Sequence, residues 1–474
     1  MRRRDFIKTT SAAAAFTLCP RLCRAADDIE HVPVSPDNPA ICHDHKKCIE
    51  CSDCLRACKN QMGVWGSYDL EKTGQKPICI HCGQCTAVCE QEAVTERREL
   101  DAVKAAVAKQ DVFVVVSTAP SVRVSLGEPF GAKPGTNVEG QLVAALRKLG
   151  VNAVFDITFS ADLTIVEEAS ELLRRITEKR ARPQFTSCCP AWVKFAETFY
   201  PEHIPNLSTT KSPIGMQGSI IKTWFAEKRG IDPKTIFTVA LTPCTAKKFE
   251  IRRPEMTAAG LRATDAVLTV RELAQWLKQA GVDLLKLDPA PYDDLLGRGT
   301  GAGVIFGNTG GVMEAALRTA YFYATQQNPP PALLDYEPVR GMDGVRSAKV
   351  TLPLPDAPLT LNVAIVHGTA NARKLLAQIK AGEAAYDFIE VMACRGGCIG
   401  GGGQPRTAVP MTDGIRKARI EGLYALDTGG AKRLSHENPQ VQALYREYLD
   451  APLSEKAHRL LHTTYQSRKA DLGG

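Results

Sequence analysis

Long apolar stretches are scarce in this chain of 474 residues. The longest of them, from Ala12 to Cys19, falls well short of the roughly 18 residues that cross a membrane as a helix. We therefore expect no membrane span. Hydrophobic residues make up 44% of the chain and charged residues 23%, which excludes a disordered or fibrous protein. The length itself predicts roughly three domains.

Excess charge of one sign is equally scarce outside the first 25 residues. The chain carries a net charge of +7, but those residues contain six basic side chains and one acidic side chain. The remaining chain is therefore close to neutral, and its charge gives no support to a nucleic-acid-binding protein. We expect no nucleic-acid partner.

Residues 1–26 resemble a twin-arginine signal peptide. Arg3 and Arg4 precede a short stretch of Ala, Phe and Leu, and small residues follow near Ala25. This is the order of an export signal and its cleavage site. A basic, frayed terminus is the alternative, but it does not require that order. Because the twin-arginine route carries folded cargo, the sequence predicts a periplasmic protein that is exported in its folded state.

Cysteine is too sparse for a disulfide scaffold, which typically exceeds about 8% Cys, but eight of the 16 cysteines lie between Cys48 and Cys89. They form two consecutive runs of the pattern C-x2-C-x2-C-x3-C. In such runs three thiolates bind one four-iron cluster and the fourth cysteine binds the other cluster. Structural zinc, which usually pairs two CxxC units, fits this spacing less well. The first predicted ligand set is Cys48, Cys51, Cys54 and Cys89, and the second is Cys79, Cys82, Cys85 and Cys58.

Residues 27–100 therefore resemble a bacterial ferredoxin that carries two [4Fe-4S] clusters. So small an α+β domain cannot bury enough core alone and relies on metal to fold. Two adjacent clusters form a path for electrons. Cys42 is either a further ligand, beside His43 and His45, or an ordinary half-buried cysteine.

Residues 101–410 show the alternation of strands and helices that is typical of an α/β fold. We expect mostly parallel sheets covered by helices, arranged as two lobes with a site between them. The strands are predicted from apolar, β-branched runs at residues 112–116, 153–155, 237–241, 303–306 and 361–366.

Five further cysteines lie in three unusual segments, TSCCPAW (186–192), TPCTAKKFE (242–250) and EVMACRGGCIGGGGQP (390–405). Polar, Gly-rich turns make poor core, so buried unliganded cysteines do not explain them. The glycines let the backbone approach a bulky group closely, because no Cβ intervenes. Cys394 and Cys398 are four residues apart, so both thiols face the same way on a helical turn. Four thiolates from these segments suffice for one more four-iron cluster.

These segments resemble the signature motifs of iron-only, or [FeFe], hydrogenases, and the resemblance extends from about residue 42 to residue 465. It implies an active-site H-cluster, in which a [4Fe-4S] cubane is joined through one cysteine to a two-iron unit with carbonyl, cyanide and dithiolate ligands. By position, Cys189, Cys244 and Cys394 are implied as ligands of the cubane and Cys398 as the bridge to the two-iron unit.

The resemblance also implies a proton path that starts at Cys188, which matches the family's free thiol. Such a thiol exchanges protons best when its pKa is matched to that of its partner. Glu168, Glu171 and Arg175 share one helix face, and Ser208 completes the relay. Taken alone, this stretch is an ordinary salt-bridged surface helix. The residues implied near the two-iron unit are Lys247 and Ser121 beside the cyanides, Met392 as a shield, and Phe306 in a cavity-lining segment.

The polar tail, residues 411–474, resembles the small subunit of periplasmic members of the family. It is predicted to be helical at 438–448 and 454–465. Three residues depart from the family's pattern: Thr242 stands where methionine is usual, Ala191 where glycine is usual and Arg395 where proline is usual. The exchange at Thr242 opens space and adds a hydroxyl near the two-iron unit.

The implied reaction is the reversible conversion of H2 into two protons and two electrons. Export favours uptake of H2, with electrons leaving through the two [4Fe-4S] clusters to a multihaem c-type cytochrome or another redox carrier. Hydrogenase maturation proteins are further implied partners. The alternatives are a sensory, slow-turnover hydrogenase and a non-catalytic, hydrogenase-like protein that assembles iron–sulfur clusters. An assembly protein does not need Cys188, Lys247 or the chain from Glu168, so these residues favour the enzyme.

Overall fold

The computed structural model describes residues 34–354, 357–406 and 411–473. The predicted signal, residues 1–26, lies outside them. Within the described ranges, no helix has the length and apolar character that crossing a membrane requires. The strands of these ranges are β1 Ile41–His43, β2 Val94–Glu96, β3 Phe113–Thr118, β4 Ala153–Asp156, β5 Gln184–Phe185, β6 Ile236–Thr242, β7 Thr257–Ala258, β8 Leu261–Arg262, β9 Ala266–Thr269, β10 Val345–Leu352, β11 Leu359–His367 and β12 Phe388–Met392.

The α-helices alternate with these strands through the middle of the chain and dominate its C-terminal tail. In chain order they are α1 Asp53–Asn60, α2 Gln84–Val88, α3 Leu100–Val107, α4 Glu139–Lys148, α5 Ile157–Thr177, α6 Pro190–Phe199, α7 Pro213–Ile220, α8 Ala226–Arg229, α9 Lys247–Glu250, α10 Val270–Gln279, α11 Gly301–Ile305, α12 Gly311–Thr325, α13 Pro331–Leu334, α14 Thr369–Lys380, α15 Asp413–Thr428, α16 Pro439–Leu444 and α17 Glu455–Leu461.

One sheet is entirely parallel, with its strands in the order β4-β3-β6-β9. Successive valines of β3 face opposite sides of the sheet. Val114 and Val116 pack with α3, α4 and α10, whereas Val115 packs with α5 and α7. Both faces are therefore covered, which is why β3 is a continuous apolar run. This layering confirms the predicted α/β fold with parallel strands between helices.

The second sheet has the order β10-β11-β12-β5. Strands β11, β12 and β5 are parallel, and β10 is an antiparallel edge strand. Ile365 and Phe388 pack on α12, while Val366 and Ile389 pack on the other face with α6 and α14. The carboxyl ends of β5 and β12 open onto the same cavity as those of β3 and β6. The functional site therefore lies where the two sheets meet.

Residues 301–305 form helix α11, so the strand predicted at 303–306 was wrong. A short apolar run cannot be distinguished from a buried helix by its periodicity alone. This segment packs closely on α5 and needs glycine there, because a Cβ on Gly303 would lie 2.4 Å from the carbonyl oxygen of Thr158. The other four predicted strands correspond to β3, β4, β6 and β11.

The tail packs against α5 through a buried carboxylate. Asp162 Oδ1 accepts a hydrogen bond from Ser435 Oγ at 2.7 Å, and Asp162 Oδ2 accepts one from Asn438 Nδ2 at 2.8 Å. Burial raises the pKa of Asp162 to about 6. Helix α16 continues as a π-helical turn at Tyr445–Leu449, and α17 ends at Leu461, four residues before the predicted end of that helix. The chain then runs on in extended form beside residues 209–211.

Candidate functional site

Five cysteines lie just beyond the ends of buried strands and surround one cavity. Cys188 and Cys189 follow β5, Cys244 follows β6, and Cys394 and Cys398 follow β12. The wall of the cavity is largely apolar apart from the thiols. Because the carboxyl ends of parallel strands meet at one edge of a sheet, the fold brings three distant segments of sequence to one place.

Cys394 and Cys398 are joined by a glycine turn rather than by the helical turn that their spacing predicts. Gly396 and Gly397 have φ angles of 79° and 90°, a conformation that side chains disfavour. A Cβ on Gly397 would also lie 2.6 Å from the backbone nitrogen of Thr309. Both thiols still face the cavity, so the prediction was right about their direction and wrong about the turn.

The donor set of the cavity suits an iron–sulfur group. Cys394 is buried, and Cys189, Cys244 and Cys398 are half-buried on the cavity wall. The removal of these thiols from bulk water raises the pKa of each, to about 12 for Cys244. Thiolates in such surroundings need a cation to compensate their charge, and soft thiolates select Fe–S clusters. Among the described residues, the buried Ser121 hydroxyl at the cavity wall has no hydrogen-bond partner. The wall can therefore accept one more polar ligand atom.

Lys247 places a positive charge on the apolar wall. Its ammonium group donates to Glu250 Oε2 at 2.9 Å and to the carbonyl oxygen of Cys188 at 3.0 Å. Burial alone lowers the pKa of Lys247, but the adjacent Glu250 carboxylate outweighs it and raises the pKa above its ordinary value. The side chain is thus charged and fixed, which favours an anionic ligand beside it.

Met392 and Phe306 lie on the cavity wall as predicted. Glu390, which was not predicted as a site residue, holds the neighbouring backbone in place. Glu390 accepts hydrogen bonds from the backbone nitrogens of Gly310 at 2.6 Å and Met313 at 2.8 Å. Burial raises the pKa of Glu390 to about 7. A lone acidic residue inside the apolar strand FIEVM was the signal that could have found it.

Glu168 is buried on α5, and neither of its carboxylate oxygens has a hydrogen-bond partner among the described residues. Burial, followed by the charge of Glu171, raises the pKa of Glu168 to about 8, although the nearby Ser208 hydroxyl opposes the shift. Burial and then the charge of Glu168 likewise raise the pKa of Cys188. Cys188 and Glu168 therefore lie close enough to interact.

Glu171 lies one turn further along α5 than Glu168 and is held by several hydrogen bonds. Ser208 Oγ donates to Glu171 Oε2 at 2.9 Å, and Arg175 donates to Glu171 Oε1 through Nε at 3.0 Å and Nη2 at 2.8 Å. Arg175 also donates to the carbonyl oxygen of Leu207 at 2.8 Å. The structure brings Glu168, Glu171, Arg175 and Ser208 together in the interior, so this part of α5 is not a solvated surface helix.

The three departures from the family's pattern have distinct surroundings. Thr242 lines the cavity, but its hydroxyl lies 3.3 Å from both the backbone nitrogen and the carbonyl oxygen of Cys244. Ala191 is buried on the first turn of α6, directly after the thiol segment. Arg395 donates to Asp413 Oδ1 at 2.8 Å and so links the glycine turn to the tail. Only Thr242 and Ala191 line the cavity.

The eight N-terminal cysteines line two adjacent pockets, and the grouping follows the two ligand sets predicted from their spacing. One pocket is lined by Cys48, Cys51, Cys54 and Cys89, and the other by Cys58, Cys79, Cys82 and Cys85, with Cys54 common to both.

Cys42, the remaining cysteine of this region, lies in β1, opposite Thr95 of β2.

The second of these pockets abuts the central cavity, and Cys82 lines both. A Cβ on Gly402 would lie 2.5 Å from the carbonyl oxygen of Cys82, so the two backbones are in direct contact. Gln84 Nε2 donates to Cys394 Sγ at 3.2 Å and to the carbonyl oxygen of Gly400 at 2.9 Å. This side chain, which the sequence analysis did not single out, joins the two thiol-rich regions.

Comparison with known proteins agrees with this geometry. The family model of the iron only hydrogenase large subunit, C-terminal domain, matches residues 112–402, and that of the iron hydrogenase small subunit matches residues 413–468. The NADP-reducing hydrogenase subunit HndD of Solidesulfovibrio fructosivorans is 45% identical over 448 residues, which are 91% of this chain and 75% of that protein. The periplasmic [Fe] hydrogenase large subunit of Nitratidesulfovibrio vulgaris is 46% identical over 326 residues, 68% of this chain and 75% of that protein.

A solved structure of a variant apo [FeFe]-hydrogenase HydA1 from Chlamydomonas reinhardtii has a TM-score of 0.69 and 41% identity, covering 79% of this chain and 99% of that one. The cytosolic iron-sulfur assembly component 3 of Mus musculus is 33% identical over 405 residues, 82% of this chain and 83% of that protein. The fold and the thiol-lined cavity define an iron–sulfur oxidoreductase. The chain belongs to the iron-only, or [FeFe], hydrogenases, with large- and small-subunit regions in one polypeptide, and the enzymes of this family act on H2.

Proposed function

We propose that this protein catalyses the reversible conversion of H2 into two protons and two electrons, and that it works mainly in H2 uptake. The observation that carries the proposal is the place of Cys188. Cys188 lies on the wall of the thiol-lined cavity, Lys247 donates to its carbonyl oxygen, and the charge of the buried Glu168 acts on its thiol. A proton and an electron can therefore leave the cavity by different routes.

The H-cluster, when bound, supplies the metal centre at which H2 is split. Cys189, Cys244 and Cys394 would hold its cubane, and Cys398 would join the cubane to the two-iron unit. Lys247 and Ser121 would donate hydrogen bonds to its cyanide ligands. Met392 and Phe306 would exclude water from the two-iron unit, since both are buried side chains of the cavity wall.

Protons would pass from Cys188 to Glu168 and on to Glu171. A carboxyl group with a pKa of about 8 holds a proton near neutral pH and can still release it, which suits a relay. The Ser208 hydroxyl can accept one proton while it donates another, and it already donates to Glu171. Arg175 orients Glu171 near the end of the relay.

Electrons would pass through residues 27–100, which we propose to be a ferredoxin-like domain with two [4Fe-4S] clusters. It precedes an H-cluster domain at 101–410 and a small-subunit-like tail at 411–474. The contact of Gln84 with Cys394 supports electron transfer at that point. The set that includes Cys48 would pass electrons to an external carrier, and a multihaem c-type cytochrome is the proposed partner.

We also propose that the enzyme works in the periplasm after export through a twin-arginine signal at residues 1–26. Maturation proteins would load the iron centres first, because empty thiols would otherwise meet oxidants outside the cytoplasm. Changing both Arg3 and Arg4 to Lys should leave active enzyme in the cytoplasm. Unchanged activity in the periplasmic fraction would contradict this route.

The reaction is tested on protein produced together with hydrogenase maturation proteins. H2 consumption with an oxidised dye and H2 evolution with a reduced dye should both be measurable. Three four-iron clusters and a two-iron unit predict about fourteen irons per chain. Stoichiometric zinc, or fully loaded protein that neither consumes nor evolves H2, would contradict the proposal.

A sensory hydrogenase with slow turnover is the second candidate, and Thr242 is the observation that favours it. This residue lines the cavity where methionine is usual in the family. If Thr242 sets a slow rate, Thr242→Met should raise turnover while the iron content stays constant. The cluster-assembly alternative is weaker, since delivering clusters requires neither Cys188 nor the chain that begins at Glu168.

A further inference from the structure

The C-terminal tail reaches the proton relay through a short antiparallel pairing. Residues 462 and 463 follow α17 and, together with Leu461 at its end, lie beside residues 209–211, directly after Ser208. Thr210 and His462 form the bridge between the two segments. The two backbone hydrogen bonds, each 2.7 Å long, run from Lys211 N to the Leu461 carbonyl and from Thr463 N to the Thr209 carbonyl.

Thr209 is the residue at which the tail, the relay and helix α5 meet. Its backbone nitrogen donates to Glu171 Oε2 at 3.0 Å, the same carboxylate oxygen that accepts from Ser208 Oγ at 2.9 Å. Its hydroxyl lies 2.7 Å from Nδ1 of His462. The direction of the Ser208 hydroxyl therefore depends on how Thr209 is held.

His462 is buried, with 8% of its surface exposed, and both ring nitrogens are engaged. Nδ1 meets Thr209 Oγ1, and Nε2 lies 3.0 Å from Glu167 Oε2. Glu167 is fully buried and also accepts from the backbone nitrogen of Leu453 at 2.9 Å. Because Glu167 and Glu171 are one turn apart on α5, the imidazole ties the segment that carries Ser208 to the same face of the helix.

We propose that His462, supplied by the small-subunit-like tail, is a positioning residue of the proton relay. It holds Thr209 so that the Ser208 hydroxyl stays aimed at Glu171. The proposal rests on the proposed function, since it assigns a role within that relay. It does not make His462 a carrier of protons, because Thr209 donates to Glu171 through its backbone N–H group, which does not pass protons on.

Two variants separate the two hydrogen bonds of the ring. His462→Asn keeps a polar atom near the position of Nδ1, within reach of Thr209, whereas His462→Gln keeps one near Nε2, within reach of Glu167. Thr209→Val removes only the hydroxyl partner. His436→Gln is the matched control, since His436 is a tail histidine with the same 8% exposure that contacts Thr319 and Phe322 instead.

The loaded full-length enzyme should lose turnover in His462→Gln and Thr209→Val by about 5-fold, the ratio expected for one net hydrogen bond. The solvent deuterium isotope effect on kcat should rise, while the KM for H2 and the infrared bands of the carbonyl and cyanide ligands stay unchanged. His462→Asn should restore most of the loss, and His436→Gln should behave as the parent.

A second measurement does not depend on turnover. Amide deuterium exchange over residues 207–212 should speed up in His462→Gln and Thr209→Val, with or without the iron centres, and stay unchanged in His436→Gln. Equal losses in His462→Asn and His462→Gln, with an unchanged isotope effect, would reduce His462 to a structural role and overturn the proposal. If the parent itself turned over no H2, the proposed function would fail, and unchanged exchange in His462→Gln would overturn the positioning as well.

Discussion

The two groups of cysteines in this protein differ in the apolar packing that surrounds them. The N-terminal group lies in residues 34–98, where β1 and β2 have three residues each and the block's own apolar cluster consists of Ala40, Ile41 and Val94 packed on thiols. Its other buried apolar residues, Met62, Val64 and Ile80, pack against the neighbouring α/β core. The cavity group lies at the ends of strands that helices cover on both faces. The cavity is therefore shaped by an apolar core, whereas the N-terminal block, if it holds the two proposed clusters, is expected to depend on metal for its shape.

The difference explains where acid–base chemistry can be placed. Glu168 is buried and Cys188 is half-buried, and their removal from bulk water disfavours the charged form of each. A protein can hold such groups only where the surrounding packing is strong enough to offset the cost of their burial. The α/β core meets this condition, and it contains the residues to which we assign the proton relay. The N-terminal block is assigned electron transfer, for which the arrangement of metal ligands matters most.

The largest effect is expected at Cys188, which tests whether the cavity separates proton transfer from metal binding. Cys188→Ser should keep the iron centres, because Cys188 is not assigned as a ligand. Turnover should fall by at least about 10²- to 10⁴-fold, because a hydroxyl is too weak an acid to exchange protons at neutral pH. Infrared spectra of the carbonyl and cyanide bands, recorded beside an H2 assay, measure both properties.

The adjacent thiol provides the matched comparison. Cys189→Ser should lose or distort the cubane together with the activity, since Cys189 is an assigned ligand. Near-normal turnover with intact infrared bands in Cys188→Ser would show that protons leave the cavity by another route, and the chain that begins at Glu168 would lose its assigned role.

Removal of iron should unfold the N-terminal region and leave the α/β region folded. A chelator under reducing conditions should make the amides of residues 34–98 exchange like those of an unfolded chain, while β3 and β6 keep most of their protection. Exchange measured peptide by peptide reports both regions in one experiment. Full protection of residues 34–98 without iron would mean that this block folds on its own apolar contacts.

Glu168→Gln should stabilise the protein as it slows turnover. The ordinary pKa of this carboxyl is 4.5 and its folded pKa is about 8, so between these values the unfolded chain releases a proton that the folded chain keeps. The free energy of unfolding therefore falls as pH rises through this window, and a glutamine does not share the loss. At pH 8 the variant should be more stable by at least about 1 kcal/mol, since one pKa unit corresponds to about 1.4 kcal/mol.

Denaturant unfolding followed at pH 4.5 and pH 8 measures this difference. The gap between variant and parent should become small towards pH 4.5, where the folded carboxyl is neutral and the unfolded one is only half ionised. A gap of the same size at both pH values would mean that the substitution acts through packing and not through the ionisation of Glu168.

Much of this arrangement could be predicted from the sequence because the signals are local. Strand β3 is a run of β-branched residues, and the cysteine spacing within 48–89 indicates which thiols share a cluster. The resemblance to a known family supplied the cavity ligands. The burial of α5 could not be read from its own residues, because the segment 167–175 has the charge pattern of a solvated helix and is covered by the distant tail.

The residues that join the regions were missed for the same physical reason. Gln84, Glu390 and His462 each make their deciding hydrogen bond to a residue far away in the sequence, and no local periodicity reports such a contact. Glu390 alone left a trace, as an acidic residue within an apolar strand. The glycine turn between Cys394 and Cys398 was misjudged because equal spacing is compatible with a helical turn and with a left-handed one.

The smallest expected effect lies at the contact between the two regions. Gln84→Leu removes the N–H group that Cys394 Sγ accepts at 3.2 Å and keeps a side chain of similar size. Hydrogen bonds to cluster sulfurs stabilise the more negative, reduced form, so their loss lowers the reduction potential. A shift of the cubane by roughly 40 mV is expected, the one-electron equivalent of about 1 kcal/mol, while the potentials of the N-terminal clusters change less. Redox titration followed by electron paramagnetic resonance measures each centre.

Thr86→Val is the control, because Thr86 Oγ1 donates to the carbonyl oxygen of Gly402 at 2.9 Å across the same contact without touching a cavity thiol. Equal shifts in both variants would mean that loosening the contact, and not the lost hydrogen bond to sulfur, sets the potential.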